Sequence, residues 1–152
     1  MKLRRPACRV TRATLVILVA ALVGVTATAA NEEGPTPTDA PWVELKKGLK
    51  IRDLEIGDGA EVRRGSRFTA RYAGWLDDGT LFDTNRKRSV QVMQLGVGQV
   101  IKGWDLGLVG MKVGGKRQVL VPSKLGYGKR GVPGRIPKDA TLFFEVEILA
   151  VM

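Results

Sequence analysis

The sequence contains no histidine, and its single cysteine, Cys8, lies within the first ten residues. Without histidine the chain has no imidazole for acid–base catalysis, and nucleophiles that depend on a Ser–His or Cys–His pair are excluded. None of the serines Ser66, Ser89 and Ser123 lies in a G-x-S-x-G motif, and a serine nucleophile here would need a lysine base. The composition therefore predicts a site that works without a metal, a cofactor or a covalent intermediate.

Signatures for phosphates and nucleic acids are also missing. The glycines of GVGQVIKG, residues 96–103, are not followed by the G-K-[ST] ending of a phosphate-binding loop. Basic clusters occur at 86–88, at 129–130 and at Arg135 with Lys138, but no aromatic residues are interleaved at stacking positions. We therefore expect no nucleic-acid partner and interpret these clusters as a solvated basic rim. Such a rim would attract acidic polypeptides weakly, through interactions that salt screens.

Acidic residues are absent from the first thirty positions, which hold five basic residues and account for half of the net charge of +10. An uncharged apolar run follows, from Ala13 to Val25, and then TATAA, in which Ala27 and Ala29 fit the small-x-small rule for signal cleavage. We predict a signal peptide over residues 1–30 and export to the periplasm or cell envelope. An uncleaved membrane anchor is the alternative, because residues 13–30 approach the lower limit of about 17 residues for a spanning helix. Cleavage would also remove the only cysteine.

The segment after the predicted signal, residues 31–41, has three prolines and no apolar periodicity. This composition is typical of a spacer. The remaining residues, 42–152, are enough for one domain with one core. We expect a monomer, since no additional segment suited to dimer formation is visible.

Short runs of alternating apolar residues predict an antiparallel sheet. The run RFTARYAGWL, residues 67–76, places Phe68, Ala70 and Tyr72 on one face. The DDG that follows predicts a hairpin turn into a returning strand, TLFDT. Residues 116–122 and 140–151 predict two further strands, with one face buried and the other in water. Weaker candidates are residues 49–56 and 90–95.

One segment, VIKGWDLGLVGMKVGG, combines helical periodicity with five glycines. Val100, Ile101, Trp104 and Leu108 fall on a common face of a helix. Each interior glycine costs up to about 1 kcal/mol relative to alanine, so any helix here must be short. We predict one helix at 101–108, packed on the apolar face of a sheet of five or six strands, in an α+β fold.

These motifs together resemble the FKBP-type peptidyl-prolyl cis-trans isomerases. The resemblance rests on Y-x-G-x-L-x-D-G-x-x-F-D, on V-I-K-G-W-x-x-G-L, on Y-G followed by I-P, and on a closing aromatic strand, ATLFFEVEIL, and it covers roughly Gly48 to Leu149. It implies a twisted half-barrel sheet wrapped around the short helix. It also implies an enzyme that accelerates rotation about Xaa-Pro bonds in unfolded or exported polypeptides and that binds macrolide inhibitors.

The resemblance also implies a set of site residues. Asp83, Tyr127 and Tyr72 would be the catalytic residues, with the backbone N–H of Ile101 and the hydroxyl of Tyr127 holding the substrate carbonyl. Arg88 would form an ion pair with Asp83. The proline ring would be held by Phe82, Val100, Ile101, Trp104, Ile136 and Phe144. Simple core packing remains the alternative for each apolar member, Trp104 included.

Three positions depart from the usual family pattern. Gln91 stands where an aromatic wall residue is common, Val132 where a histidine is frequent, and Arg135 where the loop residue is commonly apolar. A less enclosed pocket would follow, with a shifted preference for the residue before proline and altered macrolide binding. A second hypothesis follows as well: a non-catalytic chaperone or docking module that recognises proline on the same fold.

Overall fold

Seven antiparallel strands and one short helix make up the fold. The computed structural model describes residues 34–152, so the predicted signal peptide lies outside the described residues. Two 3-10 turns, Lys46–Gly48 and Ser123–Leu125, accompany the main elements. In chain order these elements are β1 (Val43–Glu44), β2 (Lys50–Glu55), β3 (Arg67–Leu76), β4 (Leu81–Thr84), β5 (Val92–Gln94), α1 (Lys102–Gly107), β6 (Lys116–Val121) and β7 (Leu142–Val151). The predicted α+β class is confirmed, and the strand beyond the predicted five or six is the two-residue β1.

The strands form one sheet in the order β1-β2-β6-β7-β3-β4, with β5 also paired to β3. The longest pairing joins β3 to β7, from Phe68 opposite Val151 to Leu76 opposite Leu142. The hairpin between β3 and β4 turns at Gly79, whose φ of 83° lies in the left-handed region that favours glycine. The two ten-residue strands therefore form the centre of the sheet, and β4 lies at one edge.

Helix α1 packs against the apolar face of the sheet, and glycine allows it to come close. A side-chain carbon added at Gly103 would lie 2.5 Å from Cγ1 of Val121 on β6. Trp104 and Leu108 then reach a core that includes Val119 and Val146. Glycine thus lowers the helix propensity of this segment but permits the packing that stabilises it.

The C-terminal end of α1 is held by a buried arginine. Nη1 of Arg117, on β6, donates to the carbonyl oxygen of Gly107 at 2.7 Å. The same guanidinium donates twice to the carboxylate of Asp53 on β2, at 2.5 and 3.1 Å. The last carbonyls of a helix have no intrahelical partner, and Arg117 supplies one. Strands β2 and β6 therefore fix where the helix ends.

The second face of the sheet is covered, although the alternation of β7 predicted that it would be wet. Glu145 is 5% exposed and Gln118 is fully buried. Both contact Thr36, whose backbone N–H donates to Glu145 Oε2 at 2.9 Å and whose carbonyl accepts from Gln118 Nε2 at 2.8 Å. Arg52 donates to the carbonyl of Thr38 at 3.2 Å. Residues Thr36 to Thr38, here called the N-terminal strap, are thus attached to the sheet rather than forming a free spacer.

The aromatic residue that follows the strap also lies on this second face. Trp42 packs its ring edge-to-face with Phe143, with centroids 6.0 Å apart, and the guanidinium of Arg52 lies 4.3 Å from the centroid of Trp42. Within residues 34–152, no helix has the length and apolar character that crossing a bilayer requires.

Candidate functional site

A cavity of about 350 Å³ opens on the helix side of the sheet. Its walls come from β3, β4, β5, β7, the start of α1 and the turn after Leu125. It is lined by Tyr72, Phe82, Asp83, Met93, Gly98, Gln99, Val100, Ile101, Trp104, Tyr127 and Phe144. Every predicted wall residue except Ile136 therefore lies on one cavity.

The indole ring of Trp104 is both a core residue and the floor of this cavity. Trp104 is only 4% exposed. Its ring meets those of Tyr72 and Phe144 edge-to-face, with centroid distances of 5.1 and 5.3 Å. Such aromatic pairs contribute about 0.5–1.5 kcal/mol each beyond the area they bury. The two roles considered for Trp104, packing and lining a pocket, are thus compatible.

The aromatic wall is also close-packed on the strand side. The rings of Phe82 and Phe144 meet edge-to-face at 5.5 Å. Both come so near the backbone of Gly74 that a side-chain carbon there would lie 2.7 Å from Phe82 and 2.8 Å from Phe144. Glycine at this position of β3 therefore leaves room for the two rings that shape the cavity.

The residue before α1, Ile101, lines the cavity and has a backbone N–H without a partner among the described residues. Ile101 is the N-cap residue, with extended φ and ψ of −62° and 152°, and its carbonyl accepts from the N–H groups of Trp104 and Asp105. Among residues 34–152, no acceptor lies within hydrogen-bond distance of the N–H of Ile101. Free N–H groups are normal at a helix start. At a cavity wall, such a group can donate a hydrogen bond to the carbonyl oxygen of a bound ligand.

Asp83 and Tyr72 form the polar pair of the site. The hydroxyl of Tyr72 donates to Asp83 Oδ2 at 2.7 Å. Burial, the hydrogen bond to Asp83 and the charge of Asp83 together raise the pKa of Tyr72 far above its usual value. Tyr72 therefore keeps its proton and acts as a donor to the carboxylate.

The predicted ion pair between Arg88 and Asp83 is absent from the described residues. No salt bridge joins them, and Tyr72 is the group bonded to the carboxylate. Arg88 is exposed, but its positive charge reaches Tyr72 and partly opposes the rise of the Tyr72 pKa. An exposed arginine gains little from an ion pair in water, which explains why proximity in sequence did not produce one.

Asn85 holds the backbone that carries Tyr72, and it was not among the predicted site residues. Its Oδ1 accepts from the N–H of Tyr72 at 2.7 Å, and its Nδ2 donates to the carbonyl of Ala70 at 2.8 Å. The amide side chain thereby replaces a neighbouring strand just where β4 ends. Asparagine directly after a strand commonly makes such side-chain to backbone bonds, and that signal was available in the sequence.

Tyr127 lies at the rim of the cavity. Its side chain is 41% exposed, and its hydroxyl has no hydrogen-bond partner among the residues that the structure describes. Burial of part of the ring, and then the charge of Asp83, raise the pKa of Tyr127. Like Tyr72, it is a neutral donor at physiological pH, and its proton is free for a ligand.

Two residues do not lie on the cavity at the positions that the resemblance implied. Gln91 is exposed and precedes β5, and the wall residue from that strand is Met93, opposite Phe68. Pairing with β3 sets this register, and alternation within so short a strand could not. Ile136 is buried in the core, 7% exposed, and contributes instead to a neighbouring groove.

That neighbouring groove contains the other two atypical positions. It has a volume of about 510 Å³, and Val132, Arg135 and Ile136 lie along it together with Leu76 and Pro133. Val132 and Ile136 exchange two backbone hydrogen bonds, of 2.9 and 2.8 Å, so the loop is a small ordered hairpin. Val132 and Arg135 therefore shape a surface beside the cavity rather than the cavity itself.

No group of three or more carboxylate, histidine or cysteine side chains is placed to hold a metal ion within residues 34–152. The polar side chains of the cavity are instead one carboxylate, two tyrosine hydroxyls and the amide of Gln99, and the backbone N–H of Ile101 lies beside them. This set can orient a carbonyl oxygen and shape the electric field around it. It offers no nucleophile suited to a covalent step.

Comparisons with known proteins agree with this geometry. The family model described as FKBP-type peptidyl-prolyl cis-trans isomerase matches residues 59–149. The FK506-binding protein of Neisseria meningitidis serogroup B is 53% identical over 105 residues, which are 68% of this chain and 96% of that protein. FK506-binding protein 4 of Rhizopus delemar is 48% identical over 108 residues, 71% of this chain and 28% of the relative.

Two solved structures are similar over the same region. The crystal structure of AtFKBP13 superposes with a TM-score of 0.67 at 35% identity and covers 74% of this chain and 99% of its own. A peptidyl-prolyl cis-trans isomerase from Pseudomonas syringae pv. tomato gives a TM-score of 0.66 at 34% identity, with 72% and 80% covered.

Proposed function

Because the chain belongs to the FKBP-type peptidyl-prolyl cis-trans isomerase family, we propose that Xaa-Pro bonds rotate in the cavity above Trp104. The chain is an isomerase of this class, and what is proposed is the role of each residue. One observation carries the assignment. An aromatic cavity of about 350 Å³ has a backbone N–H and a tyrosine hydroxyl at its edge, neither of them bonded to another described residue.

The chemistry matches what the site contains. Rotation about a peptide bond has a barrier of about 18–20 kcal/mol, because resonance keeps the group planar. No covalent bond breaks in this rotation, so no nucleophile or metal is needed. The planar amide is more charge-separated than the twisted one, and a cavity with aromatic walls solvates the planar form less well than water does. Binding that is tighter for the twisted form than for either planar isomer lowers the barrier.

The polar groups of the cavity have different roles in this rotation. The N–H of Ile101 and the hydroxyl of Tyr127 hold a substrate carbonyl, and the raised pKa of Tyr127 supports its role as a donor. Asp83, with Tyr72 bonded to it at 2.7 Å, presents its negative charge to the rotating carbonyl. The proline ring rests on Trp104 between the apolar side chains of the wall.

Substrates of this enzyme are Xaa-Pro segments of unfolded polypeptides. The groove beside the cavity adds a preference for acidic clients, because Arg130, Arg135 and Lys138 line it and form no ion pair with any described residue. This attraction is weak and decreases with salt. FK506-type macrolides are proposed ligands of the same cavity, as the names of the relatives suggest.

Export places these clients in the cell envelope. The support is the basic, apolar and small-residue order of residues 1–30, which lie outside the described residues. The test is the N-terminal residue of the protein recovered from cells. Asn31 or Ala30 at the N-terminus would support cleavage, whereas Met1 would favour the membrane anchor.

The assignment is tested by following isomer exchange in a short Xaa-Pro peptide, which takes tens to hundreds of seconds without a catalyst. Asp83→Ala should lower kcat/KM about tenfold, and Tyr127→Phe should lower it about threefold, since each removes one polar contact to the rotating amide. Asp77→Ala is the matched control, because Asp77 is an exposed carboxylate in the hairpin after β3 and its side chain bonds to no described residue. Equal activity in all four proteins would contradict the assigned roles. Peptide binding without acceleration in the wild type would indicate a docking module.

A further inference from the structure

A buried carboxylate holds three parts of the chain together behind the sheet. Glu145 accepts from Thr36 Oγ1 at 2.9 Å and from Arg86 Nη2 at 2.6 Å through Oε1. Through Oε2 it accepts from the N–H of Thr36 at 2.9 Å and from Gln118 Nε2 at 3.0 Å. The side chains of Arg86 and Glu145 are 17% and 6% exposed, so water screens this ion pair little.

Arg86 belongs to the same short segment as Asp83. Its N–H donates to Thr84 Oγ1 at 3.2 Å, and Thr84 Oγ1 donates in turn to the carbonyl of Tyr72 at 2.9 Å. Its own carbonyl accepts from Arg71 Nη1 at 3.1 Å. Arg86 is therefore linked on one side to Glu145 and on the other to the backbone of the catalytic tyrosine.

Strand β4, which carries Asp83, is weakly held by the sheet itself. It lies at the edge and pairs with β3 alone, at three positions, with a register shift between Gly74 and Trp75. The regular pairing ends at Thr84 opposite Ala73. Beyond that point one backbone bond to β3 remains, from the N–H of Asn85 to the carbonyl of Tyr72 at 3.2 Å, and the other contacts are made by the side chains of Asn85 along β3 and of Arg86 on the far face. The position of Asp83 thus depends on contacts made outside the cavity.

We propose that Arg86 and Glu145 are positioning residues for the isomerase reaction, which act from the back of the sheet by fixing the segment that presents Asp83. Thr36 of the N-terminal strap completes this arrangement, because it satisfies both oxygens of Glu145 and leaves none of them open to water. The proposal rests on the role assigned to Asp83 above.

Other charged residues lie around the same face. The cavity between strap and sheet is also lined by Glu55, Arg71, Lys87, Lys116 and Glu147. Lys116 is bonded to Glu55 at 3.0 Å. Arg71 donates to a backbone carbonyl. The ion pair of Arg86 with Glu145 joins the 83–86 segment to a buried residue of β7.

A double-mutant cycle on the full-length chain tests the proposal. Arg86→Gln should lower kcat/KM about tenfold for a neutral Xaa-Pro peptide, since a small displacement of a catalytic group is costly. In the Asp83→Asn background the same change should have almost no further effect, because both substitutions act on one group. Arg86→Lys, which keeps a charge near Glu145, should restore most of the activity. Thr36→Val should lower kcat/KM about twofold.

Lys116→Gln is the matched control, because it breaks an ion pair on the same face that has no bond to the 83–86 segment. It should leave kcat/KM unchanged. Three results would overturn the proposal. Arg86→Gln could lower thermal stability alone, at unchanged kcat/KM well below the unfolding midpoint. The effects of Arg86→Gln and Asp83→Asn on kcat/KM could multiply in the double mutant, which would show that they act independently. Finally, Asp83→Asn could be fully active, which would overturn the role assigned to Asp83 as well.

Discussion

Two adjacent residues of β7 face opposite sides of the sheet. Polar groups near one of them lack hydrogen-bond partners among the described residues, whereas the other is itself fully hydrogen-bonded. Phe144 faces the helix side and lines the cavity, where the N–H of Ile101 and the hydroxyl of Tyr127 have no described partner. Glu145 faces the other side, where four hydrogen bonds satisfy its carboxylate. Buried polar groups in folded proteins are normally bonded. Here, unbonded groups cluster at the cavity, where a substrate can bond them.

One group departs from this division. Nε1 of Trp75 is buried without a partner in the described residues, as is Nε1 of Trp104. Trp75 lies on the supporting face, with the guanidinium of Arg86 at 5.7 Å from its ring and Phe143 at 6.0 Å. A buried donor without a partner costs about 1–3 kcal/mol, and the burial of the Trp75 ring, which is 1% exposed, offsets this cost.

The largest effects come from truncating these two neighbours. Phe144→Ala should lower the free energy of unfolding by about 3–5 kcal/mol through the cavity it leaves. Glu145→Ala should cost about as much, because it leaves a buried arginine unpaired. Urea unfolding at pH 7 measures both. The two variants should differ more in kcat/KM, which should fall further for Phe144→Ala, since that ring lines the cavity.

Equal residual activity in the two folded variants would contradict the division into a binding face and a supporting face. Val146→Ala serves as the control, because Val146 is a buried residue of the same strand that does not line the cavity. It should lower stability by about 2 kcal/mol with kcat/KM unchanged.

Lowering the pH should reduce the stability that the supporting face contributes, over the range in which Glu145 becomes protonated. Burial opposes ionisation of Glu145, but hydrogen bonds from Gln118 and Thr36 and the charge of Arg86 outweigh it and hold the pKa below its ordinary value. This carboxylate therefore contributes stability above the unfolded pKa of about 4.3, and loses it as pH falls through the lower folded value. Glu145→Gln should cost about 2 kcal/mol at pH 7 and clearly less at pH 3.

The measurement is the difference in unfolding free energy between the wild type and Glu145→Gln at each pH. Taking this difference cancels the other carboxylates, which titrate in both proteins. A difference that stays constant from pH 7 to pH 3 would show that ionisation of Glu145 contributes nothing.

The smallest expected effect is on the pH dependence of activity. The chain has no histidine, residues 34–152 have no cysteine, and the raised pKa values of Tyr72 and Tyr127 keep both hydroxyls protonated. We therefore expect kcat/KM to change less than about twofold between pH 6 and pH 9. A profile with a clear titration step in this range would indicate an acid–base group that the cavity does not show.

Much of the fold was predictable because the spacing of apolar residues along the chain indicates strands and helices locally. The strand at residues 67–76, the hairpin at Gly79 and the short helix around Trp104 were all predicted from spacing and glycine placement, and the structure confirms them. Most of the cavity wall followed from the family resemblance. The register of β5 did not, because a three-residue strand has too little alternation, and Met93 was therefore not among the predicted wall residues.

The sequence by itself determined the main strands, the short helix and the chemistries that were excluded, because residue types and short-range periodicity are local properties. Tertiary structure alone decided that Asp83 bonds to Tyr72 rather than to Arg88, and that Ile136 lies beside the cavity. It also decided that Thr36 meets Glu145, a residue 109 positions away. Such contacts depend on which distant strands become neighbours, and no local pattern carries that information.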